Sequence, residues 1–253
     1  MKLWLTVAYD GRNFCGWQAQ DNGRSVQRTL SDTCTRVYGR RCLVTGCSRT
    51  DSGVHARAYS CTVTGADAGG ADITEIIPVD AVPRALNANL PEDIAVLAAR
   101  RAPDDFHPRY DVKYKTYEYV FYDSPTRSPF LSGTAHHVRR ITEEALARMD
   151  EAARAMCGRR DFAAFMASGS KITDTVRTVT DCTVHREGIY VIFRVTADGF
   201  LYKMVRTMAG TALAAAEGRL TAADVDGIIE SRERKRAGAT LPPDGLYLCE
   251  VVY

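Results

Sequence analysis

Arg41-Cys42-Leu43-Val44-Thr45-Gly46-Cys47 leads into the polar run Ser48-Arg49-Thr50-Asp51-Ser52-Gly53-Val54-His55, and Ala58-Tyr59-Ser60-Cys61-Thr62-Val63-Thr64 follows. Two stretches rich in β-formers around a turn-forming segment read as a consecutive strand pair. Upstream, Val26, Leu30, Cys34 and Val37 recur at helical spacing behind Ser25, a natural N-cap. Before that helix, Leu3-Trp4-Leu5-Thr6-Val7-Ala8-Tyr9 reads as a strand ended by the turn signal Asp10-Gly11. Downstream, residues 78–86 read as a helix and 94–98 as a strand. Strand, helix, two strands, helix, strand is the split βαβ order of ferredoxin-like domains. The fold class expected is therefore α+β.

The second half repeats the theme in elaborated form. Tyr114-Lys115-Thr116-Tyr117-Glu118-Tyr119-Val120-Phe121-Tyr122 is an aromatic strand, and residues 142–156 form a helix capped by Thr142. Residues 177–185 and 190–196 read as a hairpin about Glu187-Gly188. Helices over 201–217 and 221–229 and a strand over 247–253 complete the chain, with loops over 65–70 and 123–132. This divides the protein into an N-terminal half, 1–105, and a C-terminal half, 106–253, alike in element order but not in sequence.

With 253 residues, 45% of them hydrophobic, the chain can bury a substantial core. No run approaches the roughly 18 apolar residues that cross a bilayer, and the N-terminus turns polar too early for a secretory signal. The expectation is a cytoplasmic protein with no membrane association. Eight cysteines in such a chain read as reduced thiols. Cys42 and Cys47, with His55 and Cys61 loosely near, lack the spacing of a zinc site, so no metal is expected.

Thirty-three Lys and Arg against 31 Asp and Glu leave +2, so overall charge does not mark a nucleic-acid binder. The basic residues nevertheless gather at Arg100-Arg101, at Arg109 with Lys113 and Lys115, at Arg139-Arg140, at Arg159-Arg160 and across 232–236. Each group suits a solvated face, and several together suit a shared phosphate track.

The loop around Asp51 admits two readings. In one it is a turn, with Asp51 accepting from nearby backbone N–H groups and Gly53 supplying a positive φ. In the other, Asp51 is a nucleophile or base displayed between two strands, with a cation keeping it ionised. His55 beside it reads as a hydrogen-bonded loop histidine or as a proton carrier.

Arg49-Thr50-Asp51-Ser52-Gly53-Val54-His55-Ala56 resembles the active-site motif of the tRNA pseudouridine synthase A family, whose aspartate is essential. The likeness runs nearly end to end, through Tyr9-Asp10-Gly11, Gly16-Trp17-Gln18, Val26-Gln27, Ala85-Leu86-Asn87, Leu90-Pro91-Glu92-Asp93-Ile94 and Phe106-His107-Pro108-Arg109-Tyr110. It continues in Lys115-Thr116-Tyr117-Glu118-Tyr119, Asp161-Phe162, Phe165, the segment from Gly199 to Arg206, and Pro242-Pro243-Asp244-Gly245-Leu246. Ser48 stands where many members carry glycine, and Tyr110 where phenylalanine is common.

The resemblance implies two ferredoxin-like halves whose antiparallel sheets flank an active-site cleft. It implies isomerisation of uridine to pseudouridine at positions 38, 39 and 40 of the tRNA anticodon stem-loop, without cofactor, by a homodimer. It makes Asp51 the catalytic carboxylate and Arg206 its cation. It places Tyr117, by its strand a half-buried core residue, stacked on the target base, where its phenol could also transfer a proton; Arg49 reads as a surface residue or as a phosphate or base-flipping contact, and Leu246 and Leu201 as walls for the uracil. A rival reading is a non-catalytic RNA-binding protein on the same scaffold. Another is a metal hydrolase using Asp51 and His55. No Gly-rich phosphate loop, HExxH or Gly-x-Ser-x-Gly element occurs to support a nucleotide, zinc or serine mechanism.

Overall fold

Lys2–Tyr9 (β1) alternates half-buried and buried residues, with Leu3, Leu5, Val7 and Tyr9 on the inner face. That is the period-two pattern of a strand with one face in a core. In this computed structural model, which describes residues 1–21, 23–66, 72–170 and 172–253, the chain divides into two compact units. One comprises Met1–Lys113 with Leu248–Tyr253, the other Tyr114–Tyr247.

In the first unit β1 is followed by α1 (Val26–Tyr38), β2 (Cys42–Gly46), β3 (His55–Gly65), the short α2 (Ile73–Ile76), α3 (Val82–Asn87) and β4 (Ile94–Ala102). The strands lie in the order β4-β1-β3-β2, all antiparallel, which is the split βαβ arrangement expected from the sequence. Ser25 caps α1, its side chain accepting the Arg28 N–H at 3.3 Å. Helices α1 and α3 pack on each other and on β2 and β4. The helix expected over 78–86 starts only at Val82, because the residues before it form a turn in which the Ala81 N–H donates to the Pro78 carbonyl at 2.8 Å. Of the loop expected over 65–70, β3 claims Gly65, and positions 67–70 lie outside the described residues.

The second unit contains β5 (Tyr114–Asp123), β6 (His136–Val138), α4 (Glu143–Arg154), β7 (Gly158–Asp161), β8 (Val176–Glu187), β9 (Tyr190–Ala197), α5 (Met204–Ala216) and α6 (Ala222–Ser231). The final strand, β10 (Leu246–Val252), starts in this unit, and its later residues count with the first. Strand order β5-β9-β8-β7 is antiparallel, and β6 adds in parallel to β5. The order β5-β9-β8 repeats the first-third-second pattern of β1-β3-β2. Strands β6 and β7, of three and four residues, are too short to show a period and were not legible in the sequence. Among the described residues no helix is long and apolar enough to cross a membrane.

Helix α5 is the centre of the second unit, since every one of its residues except Arg206 is buried. Such a helix can be hydrophobic on all sides only if neighbours cover all of it. Its C-terminal carbonyls are capped by Arg148 of α4, whose guanidinium donates to Ala215 O at 3.3 Å and Ala216 O at 2.9 Å. The strap 238–241 lies directly against it. Thr207 and Thr240 hydroxyls meet at 2.9 Å, the Gly238 N–H donates to Thr211 Oγ1 at 2.9 Å, and a Cβ on Gly210 would stand 1.9 Å from the Ala239 carbonyl oxygen.

Helix propensity and packing therefore make opposite predictions for Gly210→Ala. Propensity alone would add about 1 kcal/mol of stability. The backbone clash should outweigh it and lower stability by about 1–3 kcal/mol, the range for overpacked cores. Urea or thermal denaturation reads the sign, and a raised midpoint would contradict this packing.

Candidate active site

Asp51 lies in the loop between β2 and β3, and the backbone around it is held residue by residue. The Cys47 N–H donates to Ser60 O at 3.0 Å. Tyr59, fully buried, takes Ser48 from both sides, its hydroxyl donating to the Ser48 carbonyl and accepting the Ser48 N–H at 3.3 Å. Thr50 is held at its carbonyl by the Trp17 N–H (3.2 Å) and at its hydroxyl by Tyr9 Oη (2.8 Å). Beyond Asp51, its own carbonyl accepts the Val54 N–H at 3.2 Å, and Phe14 O accepts both the Gly53 N–H (3.3 Å) and Ser52 Oγ (3.2 Å). Gly53 takes φ 82°, as a turn of this kind demands.

The partner in three of these bonds is the segment just after β1. Gly16, at φ 96°, could carry no side chain there, since its Cβ would fall 2.4 Å from the Thr50 carbonyl oxygen. Trp17 is buried and stacks on Tyr59 with centroids 4.0 Å apart and planes 21° from parallel. The β1–β3 register shifts at the same place. Val7 pairs with Tyr59 but Tyr9 with Ala56, so β3 carries one residue more between those pairs. Such a bulge re-aims nearby side chains.

His55 is 2% exposed, and its Nδ1 accepts the Gly11 N–H at 3.1 Å, which leaves the neutral ring's proton on Nε2. One ring nitrogen of His55, the first residue of β3, is thus engaged by backbone. Asp10 Oδ1 is 3.3 Å from the same nitrogen. Burial pushes the Asp10 carboxyl up, but hydrogen bonds from the Arg12 side chain and N–H outweigh it and hold it below its ordinary range. Arg49 is exposed and makes no hydrogen bond or ion pair with another described residue.

The remaining candidates belong to the second unit. Tyr117 is buried on β5 opposite Val195, its ring edge-on to Phe200 at 5.1 Å and 82°. Leu201 and Leu246 are both buried, the latter at the start of β10. Arg206, in the first turn of α5, is half-buried and donates from Nε to the Leu241 carbonyl at 2.6 Å. The helix expected from 201 begins at Met204, behind Lys203 in the left-handed region at φ 58°. Burial raises the Tyr119 phenol far above its ordinary range; the Asp244 carboxylate adds to that and the Arg206 guanidinium opposes it. Tyr119 Oη donates to Pro242 O at 2.8 Å.

Part of the supposed phosphate track is internal structure. Arg160 pairs with Asp226, Arg232 Nε sits 3.0 Å from Asp161, and Arg234 donates to Gly238 O (2.9 Å) and Thr240 Oγ1 (2.7 Å). Arg160, Arg232 and Arg234 thus link β7, α6 and the strap, while Arg159, Lys235 and Arg236 of the same groups stay exposed. Reading the sequence also missed Tyr9 and Tyr59 as parts of the loop's support. Their alternation with apolar residues marks core positions, and only the partner of each hydroxyl reveals more.

Among the described residues no three His, Cys, Asp or Glu side chains group as a metal-binding set. A family model described as tRNA pseudouridine synthase matches residues 5–111 and 152–253. The tRNA pseudouridine synthase A of Acetivibrio thermocellus is 40% identical over 249 residues, 98% of each chain. That of Pelobacter propionicus is 39% identical with the same coverage, and that of Ruminiclostridium cellulolyticum 38% identical over all of this chain and 99% of its own. Matches of this length take in both units, the loop around Asp51 and the first turn of α5 alike, and on them the chain belongs to the tRNA pseudouridine synthase family.

Proposed function

We propose that this protein isomerises uridine to pseudouridine in tRNA, with Asp51 as the catalytic carboxylate and uridines 38, 39 and 40 of the anticodon stem-loop as substrates. One observation carries the reading most directly. Within a chain matched end to end by tRNA pseudouridine synthases, Asp51 stands in a loop whose peptides are tied down on both sides. A carboxylate displayed on a fixed backbone is the arrangement that oriented attack requires.

The reaction breaks the N1–C1′ bond, turns the uracil and joins C5 to C1′. C5 loses its hydrogen to solvent and N1 gains one, so the product is an isomer and no redox step occurs. Asp51 acts either as a nucleophile on C1′, forming an ester, or as the base that removes the C2′ proton to give a glycal. Both routes use the ionised carboxylate, a form that a neighbouring cation favours in general. The resemblance assigns Arg206 to that task, Tyr117 to stacking on the base, and Leu246 to the wall of the uracil site. Arg49, exposed and without an internal partner among the described residues, suits a phosphate of the bound RNA. A target in a stacked stem must be turned out before any of this can happen. A homodimer in the cytoplasm belongs to the same proposal, and sedimentation of the purified protein tests the dimer.

Asp51→Asn should keep fold and tRNA affinity while turnover falls below detection, since the amide preserves shape and loses both nucleophilicity and basicity. The assay is release of tritium from tRNA labelled at uracil C5, mapped to position. Retained turnover would overturn the assignment of Asp51, and loss of label confined to another arm would reject positions 38–40. Arg206→Met, by removing the assigned cation, should slow the same release by more than about tenfold.

Binding should be strongly salt-dependent. If four or more phosphates are contacted, affinity for tRNA falls by more than about tenfold between about 50 and 200 mM salt. A flat titration would point to recognition of a free base or nucleoside instead.

A further inference from the structure

Two buried phenols grip the loop that carries Asp51, and neither is accounted for by the reaction itself. Tyr59 holds Ser48 by its backbone, three residues before Asp51. Tyr9 holds Thr50, the residue immediately before it, by a hydroxyl-to-hydroxyl bond of 2.8 Å that is wholly buried. The Tyr9 ring is itself braced, edge-on to Phe14 at 6.5 Å and tilted against Tyr59 at 5.8 Å. The strand that presents it slips register with β3 at this point.

From this geometry we infer that Tyr9 is a positioning residue for catalysis, acting through Thr50 on the orientation of the Asp51 carboxylate. The inference rests on the reading of Asp51 as the catalytic group. Thr50 is fixed at two points on different sides. Its carbonyl accepts from Trp17, and its side chain is tied to Tyr9. The Trp17 contact holds only its carbonyl. The second bond fixes its side chain as well, and so narrows the swing of the Cα–Cβ bond of the next residue beyond what the bonds on either side of it achieve. A side chain that must approach an anomeric carbon or a C2′ proton to within bonding reach is sensitive to such a swing, because reactivity falls steeply with small misplacement. The RNA is recognised over a much larger surface, so its binding is indifferent to the same displacement.

A structural role and a positioning role differ in what they move. If the bond only stabilised the fold, its loss would lower the melting temperature and leave kcat unchanged at temperatures where the protein is fully folded. If it positions Asp51, Tyr9→Phe should lower kcat, and the single-turnover rate of tritium release, by about tenfold, with KM and the Kd for tRNA changed by less than a factor of about two. Thr50→Val removes the same bond from the loop side and should show the same split, which also carries the test if Tyr9→Phe fails to fold. The double variant should be no slower than the slower single one, since both substitutions delete one interaction. Wild-type kcat in folded Tyr9→Phe or Thr50→Val, a loss confined to KM or Kd, or multiplicative losses in the double variant would each overturn the inference. Asp51→Asn measured alongside separates this from the reading beneath it. Turnover in Asp51→Asn would overturn the catalytic assignment, whereas an inactive Asp51→Asn beside a fully active Tyr9→Phe would overturn the positioning role alone.

Discussion

A polar loop set between two core strands has to satisfy its backbone groups where water reaches only part of it, and the first unit is organised around that requirement. An unmet buried donor or acceptor costs about 1–3 kcal/mol. The loop through Asp51 meets the demand with bonds from outside itself: Phe14 and Trp17 from the segment after β1, Tyr9 and Tyr59 from β1 and β3. Each of these has its own condition. Trp17 can reach Thr50 only because Gly16 has no side chain, and Tyr59, which holds Ser48, has its ring stacked on Trp17. Removing one member therefore leaves others unpaired, and the set behaves as a unit rather than as independent contacts.

The second unit solves a different problem. Its central helix α5 is covered on every side, and the one residue of it left partly open is Arg206. Covering so much of a helix requires close approach of irregular backbone, which the strap 238–241 achieves over Gly210, with threonine hydroxyls and Arg234 meeting the strap's polar groups. The same strap supplies the Leu241 carbonyl that Arg206 donates to. Packing of the core and orientation of a charged side chain thus depend on one stretch of chain.

These two arrangements suit a reaction in which the protein contributes position and charge rather than a reactive group of unusual chemistry. Isomerisation of a nucleoside in place needs a carboxylate, a way to keep it ionised and a mould for a freed base. Rigidity supplied by buried bonds serves that need.

The sequence by itself determined most of the element order, the α+β class and the segment to which the chemistry is assigned. Those are local properties: periodicity shows in a strand or helix of eight residues or more, and a caps-and-turns vocabulary marks where it ends, as Ser25 and Thr142 do. The resemblance could be seen for a related reason, since the residues around Asp51 are contiguous. What only the tertiary structure decided is everything that depends on partners distant along the chain. The three-residue β6 and four-residue β7 owe their existence to the strands beside them. Arg160 and Arg234 look in sequence like any solvated arginine until Asp226 and Thr240 are brought to them. Tyr9 reads as core by alternation, and it is core. That its hydroxyl ends against Thr50, 41 residues on, follows from a slip in register between β1 and β3, and no local pattern encodes a register.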